Sequence, residues 1–151
     1  MFLQVEGLAQ RCGVSTDTIR YYTQLGLLRP ARHPKTGYKL YSEKDVKRVS
    51  FICRARHLGY KLQEITQIFE DAERGKSPCP LVRDLIQRHI SENRKRLEEL
   101  MELQIRMERA LAQWATMPDG VPDGDSICRL IESIENPNSL IVKEEETATT
   151  S

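Results

Sequence analysis

The chain has little of what most enzymes and membrane proteins rely on. Its 151 residues include three His and one Trp, with an aromatic fraction of 6%. No segment reads as a glycine-rich phosphate loop or an HExxH zinc helix. No His stands near a nucleophile with a third orienting group, so no enzymatic activity is expected. There is no run of 18 apolar residues, which leaves a membrane-spanning helix without support. The first residues, MFLQVEGLAQRCG, lack a basic stretch followed by an apolar one; no signal peptide and a cytoplasmic location are expected. Cysteine is sparse, four residues with no CxxC pair, which argues against a disulfide framework and against an iron–sulfur cluster held by closely spaced thiols.

What is present is an asymmetry of charge. Residues 1–63 carry 12 Lys and Arg against 4 Asp and Glu, while residues 64–151 carry 11 against 18, so a net charge of +1 conceals a basic half and an acidic half. Charges can merely decorate solvated faces, but this division suits a head that binds a polyanion and a tail region with another task.

Local pattern divides the chain further. Val5, Leu8, Ala9 and Cys12 share one face of a short helix that Gly13 ends, and Ser15 stands where an N-cap belongs. A second short helix from about Thr16 turns Ile19 inward and runs to Gly26, the signature of a helix-turn-helix. The stretch LLRPARHPKTGYKLYS then alternates Tyr38 and Leu40 against Lys39 and Tyr41, which predicts a hairpin or wing. Ser42 opens a helix to about His57 with Val46, Val49, Ile52 and Cys53 inward, and Leu58-Gly59 breaks it. Leu62, Ile65, Ile68 and Phe69 define another helix ending near Glu73. From about Leu81 to Trp114 neither Pro nor Gly intervenes, and Ile90, Asn93, Leu97, Leu100, Gln104, Met107, Leu111 and Trp114 recur in steps of three and four. That is a coiled-coil seam on a rod of roughly 50 Å. A lone rod cannot bury such a stripe, so a second copy is the simplest partner, with packing back on the head as the alternative.

The fold class expected is therefore mainly α: a winged helix-turn-helix head with a helix pair (1–75), a long dimerisation helix (76–117), a loop and short helix (118–136) and a disordered tail (137–151). This order, carried by GVSTDTIRYYTQLGLL, the TGYKLY wing, SEKDVKRVSFICRARHLGYKLQEI and the rod, resembles the MerR family of transcription regulators over nearly all the ordered chain. The resemblance implies a homodimer joined by an antiparallel coiled coil, bound to palindromic double-stranded DNA between over-spaced promoter elements. It also implies activation by distorting that DNA for RNA polymerase.

The residues agree with a DNA interface. Ser15, Thr16 and Thr18 lie at the exposed start of the second helix, and Arg20 can donate two hydrogen bonds to a guanine edge or reach a phosphate. Of Tyr21 and Tyr22, one is expected to pack inside and the other to offer its hydroxyl to a phosphate, unless both are core. In the wing Arg32, Tyr38, Lys39 and Tyr41 are expected at the DNA backbone. Family members often carry Arg where Lys39 stands. Lys61 falls where the resemblance implies another phosphate contact, against the alternative of a solvated lysine.

Cys12 and Cys53 are expected to be small buried hydrophobes. Cys79, between two prolines at the start of the rod, lies where the helix dipole favours a thiolate, and Cys128 stands near the start of the terminal short helix. The resemblance implies a thiophilic-metal sensor, in which Cys79 of one subunit faces the 117–128 loop of its partner. The chain departs from the family pattern by reading Met117-Pro118-Asp119-Gly120 where metal sensors usually carry a further Cys. Met117 suits a soft ion such as Cu(I), whereas Asp119, Asp123 or Asp125 would suit Zn(II), Cd(II) or Pb(II), and Hg(II) is a further candidate. His89 is a remote ligand, expected on the rod surface. The alternatives are thiols that sense nothing, a reversible intersubunit disulfide in a redox-responsive regulator, and a coiled-coil adaptor without an effector. A small-molecule sensor is disfavoured because only about 35 residues follow the rod.

Overall fold

The computed structural model describes residues 1–138; most of the tail expected at 137–151 lies outside the described residues. The elements run α1 (Val5–Cys12), α2 (Thr16–Gln24), β1 (Ala31–Arg32), β2 (Lys39–Leu40), α3 (Glu43–His57), α4 (Leu62–Glu73), α5 (Cys79–Trp114) and α6 (Arg129–Glu132). Residues 1–93 form one compact unit and the chain from Arg94 a second, so α5 belongs to both. No described helix is long and apolar enough to cross a membrane.

In the first unit, α1 ends on Gly13, whose φ of 70° places it in the left-handed region that favours glycine. The turn is short because Ser15 immediately caps α2, its Oγ accepting the Thr18 N–H at 3.0 Å. The wing is a two-stranded antiparallel hairpin pairing Ala31 with Leu40 and Arg32 with Lys39. Leu3 and Tyr41 exchange backbone hydrogen bonds of 2.8 and 2.7 Å, which tie the wing's far end to the N-terminal strand segment. The start of α3 is held by Asp45, which accepts the Ser42 N–H at 3.0 Å.

Two apolar clusters lie under these elements. One joins Leu8, Ala9, Ile19, Leu28, Tyr41 and Val49, and the other joins Leu27, Ile52, Ala55, Tyr60, Ile65, Ile68 and Leu85. Tyr22 packs against both. Leu85 is a residue of α5, and Leu81, Val82 and Ile86 pack beside it, so the first turns of the long helix are a wall of the head's core. The Tyr60 hydroxyl fastens that wall by donating to the Val82 carbonyl at 2.7 Å.

In the second unit, α5 continues with Leu97, Leu100, Met107 and Leu111 each more than half exposed. α6 and the residues after it lie against the last turns of α5, where Gln113 donates to Ser133 Oγ at 3.2 Å. Trp114, Met107, Ala110, Ile131, Ile134 and Pro137 line a groove of about 630 Å³ there.

Three expectations need correction. Tyr41 is fully buried, because it packs with Leu8, Ile19, Leu28 and Val49 in one apolar cluster, where its hydroxyl meets Thr23 Oγ1 at 2.8 Å. Cys53 is exposed, because the inward face of α3 runs through Val49, Ile52 and Ala55 and leaves Cys53 beside it. His89 is not on a rod surface: its side chain is 14% exposed, packed edge-on to Tyr60 and bound to Glu64.

The buried Tyr41 generates a graded test. Tyr41→Phe should cost about 1 kcal/mol for the hydroxyl's lost hydrogen bond, and Tyr41→Ala about 3–5 kcal/mol for the cavity. Urea unfolding of both variants measures this; equal stability of the parent and the alanine variant would contradict the burial.

Candidate nucleic-acid interface

The exposed end of α2 is organised by short-range hydrogen bonds. Ser15 Oγ and Thr18 Oγ1 lie 2.8 Å apart in addition to the cap bond, so Ser15 and Thr18 brace the helix start. Arg20 Nη1 donates to Asp17 Oδ1 at 3.2 Å and to Thr16 Oγ1 at 3.3 Å. The exposed positions thus form two bonded groups on one helix, Ser15 with Thr18 and Arg20 with Thr16 and Asp17.

The wing meets this surface. Arg20, Arg32, Tyr38 and Lys39 line a single cleft of about 540 Å³, together with Gly37, the buried Tyr41 and the Gln4–Glu6 segment that opens α1. The wing's tip is held by short-range hydrogen bonds. The His33 Nδ1 accepts the N–H groups of Lys35 and Thr36 at 3.1 and 3.2 Å. The Gly37 N–H reaches the His33 carbonyl at 2.9 Å, with Gly37 at φ 73°. Three cations facing one concave surface are suited to a phosphate backbone running past a base-reading helix.

The tyrosine pair divides between surface and core. Tyr21 is half exposed on the solvent side, while Tyr22 spans the two apolar clusters and its phenol is pushed up by burial. Lys61 does not line the cleft; it precedes α4, where its N–H donates to Glu64 Oε1 at 2.8 Å.

Sequence reasoning missed the contact behind Lys61. Glu64 also binds His89 Nε2 at 2.8 Å through Oε1 and at 3.1 Å through Oε2. Burial raises the Glu64 carboxyl, but the Lys61 N–H and the His89 ring together outweigh it and hold it below its ordinary value. The spacing Lys61-x-x-Glu64 signals the cap, whereas no local signal announces His89, which comes from 25 residues away.

The sulfur atoms occupy different settings. Cys79 is the exposed first residue of α5, its N–H turned to Ser77 Oγ at 3.4 Å. Cys128 is half-buried before α6, and Met117 is half-buried just beyond α5. Glu132 holds the Cys128 segment, accepting the N–H groups of Cys128 and Ile127 at 2.7 and 2.6 Å and the Ser126 hydroxyl at 3.0 Å. Those donors, the Cys128 N–H first, lower the Glu132 carboxyl. Asp123 Oδ1 is likewise committed, to the N–H groups of Asp125 and Ser126, each at 2.8 Å. Among the described residues no three His, Cys, Asp or Glu side chains of one chain gather into a metal-binding cluster. Cys12 packs against the apolar cluster around Leu8, with its thiol pushed up by burial first and by Cys53 second.

Comparison with known proteins places this geometry. Residues 3–72 match the family described as MerR HTH family regulatory protein, and residues 46–110 match the family described as MerR, DNA binding. The chain is 32% identical over 136 residues to the mercuric resistance operon regulatory protein of Bacillus cereus, covering 89% of this chain and 98% of that one. It is 30% identical to the MerR regulator of Bacillus megaterium, solved in complex with mercury(II), at a TM-score of 0.51 and covering 85% and 94% of the two chains. The fold is also that of PbrR691 from Ralstonia metallidurans, solved with lead(II), at a TM-score of 0.70, 23% identity and coverage of 88% and 99%.

The Glu64–His89 contact carries a pH prediction. A carboxyl whose folded value is depressed contributes stability that is complete above its unfolded value of 4.5 and is lost as pH falls through the lower, folded value. Glu64→Gln should therefore be less stable by about 1–2 kcal/mol at neutral pH and should lose less stability than the parent on acidification below 4.5. Parallel denaturation curves across acid pH read both effects; unchanged pH dependence would remove Glu64 from the account.

Proposed function

The chain belongs to the MerR family of helix-turn-helix regulatory proteins, DNA-binding transcription regulators and not enzymes, and from that premise we propose that it works as a homodimer which activates a promoter when a thiophilic metal ion binds. The observation that carries the reading is the uncovered stripe on α5: Leu97, Leu100, Met107 and Leu111 are 57–68% exposed in the single chain. Their spacing is that of a seam. A second copy packed antiparallel would cover the stripe and set the start of one α5 beside the end of the other.

In that arrangement Cys79 of one protomer meets the 117–128 loop of its partner. The donor chemistry supports a soft ion. Two thiols and the Met117 thioether are available, whereas Asp123 and Glu132 already hold the loop through backbone N–H groups. The ligands named are thus Cys79, Cys128 and Met117, and bridging them is the ion's contribution. A relative named for mercury resistance, and a similar protein solved with mercury(II), agree with this class of effector.

The head's task follows from its cleft. Thr16, Thr18 and Arg20 read the major groove of a palindromic operator. Arg32, Tyr38 and Lys39 hold phosphates from the cleft, with Tyr41 supporting the wing from inside, and Lys61, outside the cleft, holds another at the start of α4. The effector drives activation by binding more tightly to the dimer on distorted DNA than on relaxed DNA, which aligns the promoter elements for RNA polymerase. The path from effector to DNA is short, because the helix that begins with Cys79 also forms the wall of the head and holds Glu64, one turn from Lys61.

Two experiments check this. Leu100→Asp, which would bury an unpaired charge in the seam, should be monomeric at micromolar concentration in sedimentation and lose operator binding; a fully dimeric variant would refute the seam. In transcription in vitro with a panel of thiophilic metals and a mild oxidant, Cys79→Ser and Cys128→Ser should each keep operator binding and lose induction, with Met117→Ala partly impaired. Full induction of both serine variants would remove the cysteines from the mechanism, and induction by the oxidant alone would replace the metal with a disulfide.

A further inference from the structure

The one acidic side chain on the exposed start of α2 calls for a reason. Asp17 is 93% exposed beside an Arg20 side chain that is 56% exposed, on a surface expected to approach a polyanion. A carboxylate there opposes DNA binding unless it does something specific. Its recorded bond is with Arg20.

We propose that Asp17 is a positioning residue that sets operator specificity by orienting Arg20, an inference that rests on the reading of α2 as the major-groove helix. Arg20 Nη1 carries two hydrogens and makes two bonds, to Asp17 Oδ1 and Thr16 Oγ1. The Nε–H and Nη2–H groups remain as a two-donor edge, the shape that matches guanine O6 and N7. The pairing also places the guanidinium's charge beside a carboxylate three residues earlier on the same helix, which weakens its pull toward any phosphate within reach. Both effects act in one direction. They favour a base edge that accepts two parallel hydrogen bonds over sequence-independent contact with the backbone.

Asp17 also stands in the first turn of α2, where an acidic residue favours the helix dipole. That role asks only for a negative charge near the helix start and would not change which base is preferred, so binding specificity separates the two roles.

The test uses the full-length protein. The parent selects duplexes from a randomised DNA library. The parent, Arg20→Ala, Asp17→Ala and Asp17→Glu are then measured on the selected duplex, on its single-base substitutions and on a random duplex, each over a range of salt. The parent should prefer guanine at one position of each half-site by about tenfold or more, and Arg20→Ala should erase that preference. Asp17→Ala, which removes the acceptor of the Arg20 bond, should erase most of it while binding the random duplex at least as tightly, with a salt dependence steeper by about one phosphate contact per head. Asp17→Glu should recover part of the preference. If Asp17→Ala keeps the parent's guanine preference and Arg20→Ala loses it, base reading stands and the positioning role is wrong. If Arg20→Ala keeps the preference, Arg20 does not read that base and the inference falls with it. A parallel loss on specific and random DNA with a lowered melting temperature for Asp17→Ala would leave only the helix-end role and overturn the proposal.

Discussion

The head cannot close its own core without the long helix. Ile52, Ala55, Ile65 and Ile68 present apolar surface on one side of α3 and α4, and the wall that covers it is Leu85 with Leu81, Val82 and Ile86 from the first turns of α5. The bond from the Tyr60 hydroxyl to the Val82 carbonyl gives this packing a fixed register. A buried phenol needs an acceptor, so the helix cannot slide without leaving that hydroxyl unpaired. In the proposed dimer, DNA reading and dimer formation would therefore not be carried by separable modules, since the helix that completes the head's core would also carry the seam.

This sharing explains where the polar contacts fall. Glu64 accepts from the Lys61 backbone on one side and from His89 on the other, linking the N-terminus of α4 to the third turn of α5. Tyr22 plays the corresponding part between the two apolar clusters, since its ring touches both while its helix carries the exposed Arg20. A displacement at the start of α5 would thus be felt by Lys61 through Glu64 and by α2 through Tyr22. In the proposed mechanism these are the routes by which an ion at Cys79 changes the fit of the head to DNA.

Residues 1–63 carry four acidic side chains, and three of them are committed. Glu43 pairs with Arg11, whose hydrogen bond holds the carboxyl low. Asp45 secures the Ser42 N–H at the start of α3. Asp17 engages Arg20. Each of these three carboxylates places a neighbouring cation or backbone group, and the cleft retains Arg20, Arg32 and Lys39 as its cations, with Glu6 at its edge.

Much of this was legible in the residues alone, for reasons of range. Caps, breakers and helical periodicity act within a few residues, so Ser15 before α2, Gly13 after α1, Leu58-Gly59 after α3 and the uninterrupted run to Trp114 could be read directly. The nearness of Ser15, Thr16, Thr18 and Arg20 was legible for the same reason, since they lie within two turns of one helix. The tertiary structure decided whatever depends on an element distant in sequence. Tyr41 points inward because Leu8, Ile19 and Val49 from three helices pack around it and Thr23 meets its hydroxyl, none of which the local pattern announces. Cys53 faces out because the helices around α3 cover the face through Val49, Ile52 and Ala55. His89 is sheltered because α4 lies against the first turns of α5 and brings Glu64 to its ring. Sequence pattern specifies which faces of an element are apolar, but only packing determines which neighbour covers them, and that neighbour decides whether a given side chain reads DNA, supports the wing or holds a helix in place.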